Sequence, residues 1–135
     1  MKVINFAETP SLVSQYMAEM RDVNIQGDSL RFRRNLERVG EIMAYEISKD
    51  LNFTTIDVQT PLDTARCQVL DEQVVLGTIF RAGVPFHKGF LDFFDNAQNA
   101  FVSAYRKYKE KDTFEIHIEY IASPRLDGKT LILVD

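Results

Sequence analysis

The longest periodic signal in the chain is a run of apolar residues at Phe32, Leu36, Val39, Met43, Ile47 and Leu51, spaced by 4, 3, 4, 4 and 4. Such spacing places all six on one stripe of a helix. A shorter helix is predicted before it, with Ser11 after Pro10 as N-cap and its end near Arg21. Between the two, Asn24 and Gly27 mark a break over residues 22–28.

After residue 52 the period changes. FTTIDVQT (53–60) and TARCQVL (64–70) read as two short strands joined around Pro61–Asp63, because proline cannot donate to a sheet ladder. VVLGTIF (74–80) is an almost unbroken apolar run, the pattern of a strand buried on both faces. It stops at Arg81-Ala82-Gly83, and residues 84–94 read as a helix with Pro85 in its first turn. AFVSAY (100–105) reads as a second buried strand ending at Arg106. FEIHIEYI (114–121) alternates, with Phe114, Ile116, Ile118 and Tyr120 on one face and Glu115, His117 and Glu119 on the other. We expect a strand exposed on one side, paired across the KYKEKDT turn (107–113) as an arm spanning 106–121. Asp127-Gly128 turns the chain into LILV (131–134), a third buried strand before Asp135.

Buried strands interleaved with helices predict an α/β fold: N-terminal helices and a small hairpin over 1–73, then a parallel-sheet core over 74–135. No internal repeat is visible. The 135 residues amount to one domain, and 45% hydrophobic with 27% charged residues excludes intrinsic disorder. The formal charge of −4 argues against non-specific nucleic-acid binding. Between Arg21 and Asp50 six basic and six acidic residues cancel, so that helix face is read as solvated and ion-paired rather than as a recognition helix. The single cysteine, Cys67, excludes an intramolecular disulfide and a Cys/His zinc site. The first twenty residues lack the apolar core of a signal peptide, and no stretch approaches the ~20 apolar residues of a membrane span. A cytoplasmic protein with no nucleic-acid or membrane partner is expected.

The candidate chemistry lies at the strand ends. In an open parallel sheet, ligands bind beyond the carboxyl ends of the strands. Three strands here end in Arg81, Arg106 and Asp135. Arg81 is followed by Ala82 and Gly83 at a strand-to-helix turn, which combines small residues, backbone N–H donors, a helix N-terminus and a guanidinium. That combination suits a phosphate or pyrophosphate, and Asp135 suits vicinal ribose hydroxyls. His87 is expected at the surface or in a capping role, and His117 in solvent. No metal-ligand cluster, GxSxG or P-loop pattern is present.

These residues carry a resemblance. FRAG (80–83) after an apolar strand, SAYR (103–106), a polar arm and LILVD (131–135) resemble the uracil phosphoribosyltransferase family. MRDVNI (20–25), LRFRRNLERVGEIMAYE (30–46) and TPL (60–62) occur in the same order, so the similarity covers essentially the whole chain. The resemblance implies a type I phosphoribosyltransferase fold and the salvage reaction of uracil with phosphoribosyl pyrophosphate (PRPP) to give UMP and pyrophosphate. It implies that Arg81 and Arg106 bind the PRPP pyrophosphate, that Ala82 and Gly83 supply backbone donors, and that Asp135 binds the ribose hydroxyls. It assigns no covalent nucleophile among these residues. Magnesium is implied as a companion of PRPP rather than as the ligand of a protein cluster, and a homodimer or higher oligomer is implied. In the family, LILVD continues into a Thr-Gly-Gly-type loop for the 5′-phosphate, followed later by a segment that reads uracil. Neither lies in these 135 residues. The chain is therefore expected to be a single incomplete domain, the N-terminal portion of an enzyme about 1.5 times longer and inactive alone. A different class of reading is a non-catalytic interaction or regulatory module of the same fold. A natural stop after Asp135 would favour the module, and a continuing Thr-Gly-Gly loop the enzyme.

Overall fold

The computed structural model describes residues 2–108 and 113–135. Helix α1 (Leu12–Arg21) begins at Ser11, whose hydroxyl accepts from the Val13 N–H while Ser14 reciprocates onto the Ser11 N–H. This capping box satisfies two of the donors that every helix start leaves open. Helix α2 (Ser29–Ser48) begins at Asp28, whose carboxylate accepts from the Leu30 and Arg31 N–H groups. Asp28 also suits the positive end of the helix dipole. The apolar stripe of α2 packs on α1 around Val13, Met20 and Val39. Its polar face is ion-paired as expected, through Arg31–Glu19, Arg34–Glu37 and Lys49–Glu46.

The hairpin strands β1 (Phe53–Gln59) and β2 (Thr64–Leu70) pair antiparallel in a two-stranded sheet of their own. Glu72 fastens its base to the core by accepting from the Asn52 N–H at 2.8 Å and the Thr130 hydroxyl at 2.6 Å. These bonds hold its carboxyl below the ordinary carboxylate range.

The main sheet has the order β5-β4-β3-β6. Its strands are β3 (Val74–Phe80), β4 (Gln98–Tyr108), β5 (Phe114–Ala122) and β6 (Thr130–Val134), with α3 (Val84–Phe93) between β3 and β4. β3 runs parallel to both β4 and β6, and β5 antiparallel to β4. Val74 and Leu76 of β3 and Ile132 and Val134 of β6 face α3, where Phe90 and Phe94 complete a core with Ala44 of α2. β3 is buried as the apolar run predicts.

Three strands differ from expectation. β4 runs on to Tyr108, past the expected end at Arg106, and within 100–105 only Ala100 is buried, because α3 packs on β3 and β6 instead. β6 alternates instead of being buried on both faces: Ile132 and Val134 are 7% and 1% exposed, but Leu131 and Leu133 are 47% and 68% exposed. Helix packs on one side of this strand only, and β6 is an edge of the sheet. β5 exposes both faces, including Phe114, Ile116, Ile118 and Tyr120. It is the opposite edge, α3 packs on β3 and β6 but not on it, and a bulge at Ser103/Ala104 shifts its register. The tip of the expected turn, residues 109–112, lies outside the described residues. Among the described residues, no helix is long and apolar enough to cross a membrane.

Candidate functional site

Three local backbone bonds shape the turn after β3. The Gly83 N–H donates to the Ile79 carbonyl at 3.4 Å, the Val84 N–H to the Arg81 carbonyl at 3.3 Å, and the His87 N–H to the Gly83 carbonyl at 2.8 Å. The Gly83 N–H is thus taken up, weakly, within the turn rather than left open. Among the described residues the Ala82 N–H has no backbone acceptor. Helix α3 starts at Gly83 with Pro85 in its first turn and with no side-chain cap. With the Gly83 and Val84 N–H groups bonded inside the turn and no N–H on Pro85, the Ala82 N–H is the turn's open donor, at the positive end of the α3 dipole. The Phe80–Arg81 peptide bond is cis, which no residue type in the sequence announces, since proline is absent there.

Glycine is required at position 83 by close approach. A Cβ there would collide with the Thr78 hydroxyl and stand 3.1 Å from the Ile79 carbonyl and 3.2 Å from Asp135 Oδ1. The same geometry shows how near the Asp135 carboxylate comes to the turn.

Arg81, Ala82, Arg106 and Asp135 line one open cleft of about 730 Å³, with Tyr105 and Ile116 on its wall. The sheet brings these groups together because β3 and β6 run parallel and end side by side, while β4, parallel to β3, carries Arg106 three residues past the Phe80–Ser103 pair. Arg106 projects from β4, its guanidinium carbon 4.9 Å from the centre of the Phe114 ring. Two guanidinium groups beside an uncapped helix start make a place for a polyanion, and the carboxylate adds an acceptor for hydroxyl groups. On the other side of Ala82, Gly83 and Asp135 lies an apolar cavity of about 580 Å³, walled by Met17, Met20, Phe32 and Met43. The turn thus stands between a charged cleft and an apolar one.

His87 is not at the surface. It is 6% exposed beneath the turn, its ring centre 5.5 Å from that of Phe101. Burial pushes its pKa below the usual histidine value, and Asn99 acts in the opposite sense. Its place in an otherwise apolar helix face, with Phe86 and Phe90 as neighbours in sequence, is the signal that could have announced burial. His117 is exposed on β5, 5.3 Å from the Tyr105 ring. Cys67 is half-buried in the hairpin. Among the described residues, no three His, Cys, Asp or Glu side chains gather as a metal cluster.

Residues 7–135 match the family model for uracil phosphoribosyltransferase. A curated uracil phosphoribosyltransferase of Porphyromonas gingivalis is 58% identical over 135 residues, covering 100% of this chain and 62% of the relative. That of Pyrococcus furiosus is 32% identical over 134 residues, covering 98% of this chain and 56% of the relative. The chain therefore spans about three fifths of the length of these relatives. The solved structure of the AQ2163 protein from Aquifex aeolicus superimposes with a TM-score of 0.79 at 28% identity, covering 94% of this chain and 59% of that one. With the family model matched across nearly all of its length, the chain belongs to the uracil phosphoribosyltransferase family.

Proposed function

We propose that the protein transfers a phosphoribosyl group from PRPP to uracil, giving UMP and pyrophosphate in pyrimidine salvage. The observation that carries this reading is the single cleft shared by Arg81, Arg106 and Asp135 in a chain of this family. Breaking the bond from C1′ to pyrophosphate builds positive charge on the ribose and negative charge on the leaving group. Arg81 and Arg106 offset the latter as fixed positive charges aimed at the leaving group. The Ala82 N–H adds a donor for the same oxygens, and the positive end of the α3 dipole favours their charge. Asp135 accepts hydrogen bonds from the ribose hydroxyls and so orients C1′ toward the incoming base. Magnesium enters with PRPP as part of the substrate and screens the pyrophosphate charge. No side chain needs to form a covalent bond.

Residues 1–73 and 74–135 act in this reading as parts of one domain, with the arm at 106–121 carrying Arg106. The protein works in the cytoplasm as a homo-oligomer, with uracil and PRPP as its partners. The test is to express the natural full-length protein in a host lacking its own uracil salvage enzyme and to assay UMP. Turnover that requires both uracil and PRPP supports the reading. Absence of UMP from well-folded protein overturns it.

A further inference from the structure

Among the described residues, three buried side-chain atoms lack a hydrogen-bond partner: Thr78 Oγ1, His87 Nε2 and Asn99 Oδ1. They come from β3, α3 and β4. Leu76 pairs with Asn99 and Thr78 with Phe101, so Thr78 and Asn99 belong to the sheet face that α3 covers. Thr78 lies directly under the turn that carries Arg81, against Gly83, and Asn99 lies farther back along β4, opposite Leu76. Packing alone would be served there by leucine or methionine, and a buried polar group costs free energy unless it finds a partner.

His87 is joined to both ends of the turn. Its backbone N–H donates to the Gly83 carbonyl at 2.8 Å, the first bond of α3. Its ring lies against Phe101, which in turn stacks on Phe80 with ring centres 4.8 Å apart, and Phe80 immediately precedes Arg81. Asn99 is the polar group that acts on the imidazole, and burial keeps that ring neutral. A neutral ring with its proton on Nε2 is a donor, and Asn99 Oδ1 is an acceptor lacking a donor.

We propose that His87 is a positioning residue for pyrophosphate binding: its Nε2–H closes onto Asn99 Oδ1 and fixes the Phe80–Gly83 turn against β4. The proposal rests on reading that turn as the pyrophosphate site. Its role is to hold Arg81 and the start of α3 in register, without touching the ligand.

The test is calorimetric titration of the natural full-length protein with magnesium pyrophosphate, beside thermal unfolding of each variant. His87→Leu keeps the apolar volume but removes the donor, and should raise the Kd by about fivefold, the worth of one neutral hydrogen bond. His87→Gln restores a donor and should bring the Kd back to within about twofold, which a purely structural role would not produce. If His87→Leu fails to fold, Asn99→Leu removes the acceptor from the neighbouring strand and should weaken binding in the same way. Unchanged affinity in the foldable leucine variant overturns the proposal, as does equal weakening by leucine and glutamine. Arg81→Ala separates the two levels. If it weakens binding while the His87 and Asn99 variants do not, only the positioning role is lost. If Arg81→Ala itself binds normally, the pyrophosphate reading falls and the proposal with it.

Discussion

Gly40 of α2 and Gly89 of α3 meet where the two helices cross. A Cβ on Gly40 would stand 3.2 Å from Gly89 Cα and 2.6 Å from the Phe86 carbonyl, and a Cβ on Gly89 would overlap the Glu37 carbonyl. Backbone lies against backbone, so neither side can yield by turning a side chain. This crossing attaches the N-terminal helices to the core that bears the site. Gly89→Ala should therefore lower stability by about 2–3 kcal/mol, the cost of forced overpacking. Gly27→Ala, with nothing within 4 Å of its Cβ, should stay within about 0.5 kcal/mol. Urea unfolding of both variants checks the contrast.

Glu19 ties α1 to α2 by accepting from Arg31 Nε at 2.8 Å, Arg31 Nη2 at 2.7 Å and Asn35 Nδ2 at 2.7 Å. The Arg31 hydrogen bond, followed by that of Asn35, holds the Glu19 carboxyl at about 2. A carboxyl lowered on folding contributes stability above its unfolded value of 4.5 and loses it as pH falls toward 2. Glu19→Gln should flatten this acid limb, so that melting temperature changes less with pH between those values. An acid limb as steep as that of the parent would contradict the assignment.

The two arginines of the cleft should differ in weight. Arg106→Ala should weaken PRPP binding less than Arg81→Ala, because its guanidinium lies over the Phe114 ring on the exposed β4–β5 arm. His117→Ala, on the exposed strand, should leave the Kd within about twofold. Calorimetry on the three variants ranks them, and a loss at His117 equal to that at Arg81 would contradict the placement of the ligand.

The uncovered sheet faces should make the chain associate. Ile116, Ile118 and Tyr120 of β5 and Leu131 and Leu133 of β6 are all exposed, and contiguous apolar surface on sheet edges invites pairing with another chain. Sedimentation of the 135-residue chain should show self-association, reduced by Ile118→Lys. Monomers at all concentrations would contradict this.

The sequence was most legible where one period ruled a whole element. The Phe32–Ile47 stripe of α2, the apolar run of β3 and the Arg81-Ala82-Gly83 turn stand where residue spacing and turn chemistry put them, although α2 ends at Ser48, short of Leu51. That Arg81 and Asp135 share a cleft was legible because the parallel strands β3 and β6 end side by side, whereas Arg106 reaches it from within β4, which runs on to Tyr108. Burial was less legible. Alternation at Phe114–Tyr120 marked a strand but not that both of its faces would be open, since cover depends on what packs above it. Leu131 and Leu133 read as core by their type, although only their neighbours Ile132 and Val134 meet α3. His87 sank beneath the turn because α3 lies flat on the sheet, a tertiary fact that residue type does not encode. The tight meeting of Gly40 and Gly89 likewise becomes visible only when two helices are placed together.

The most direct test of the account is the affinity of the natural full-length protein for magnesium PRPP, with and without the Arg81 side chain. Removing a guanidinium that makes charge-assisted hydrogen bonds to pyrophosphate should weaken binding about 30-fold, while thermal stability holds. Equal affinities of the parent and Arg81→Ala proteins would contradict the assignment of this turn as the pyrophosphate site.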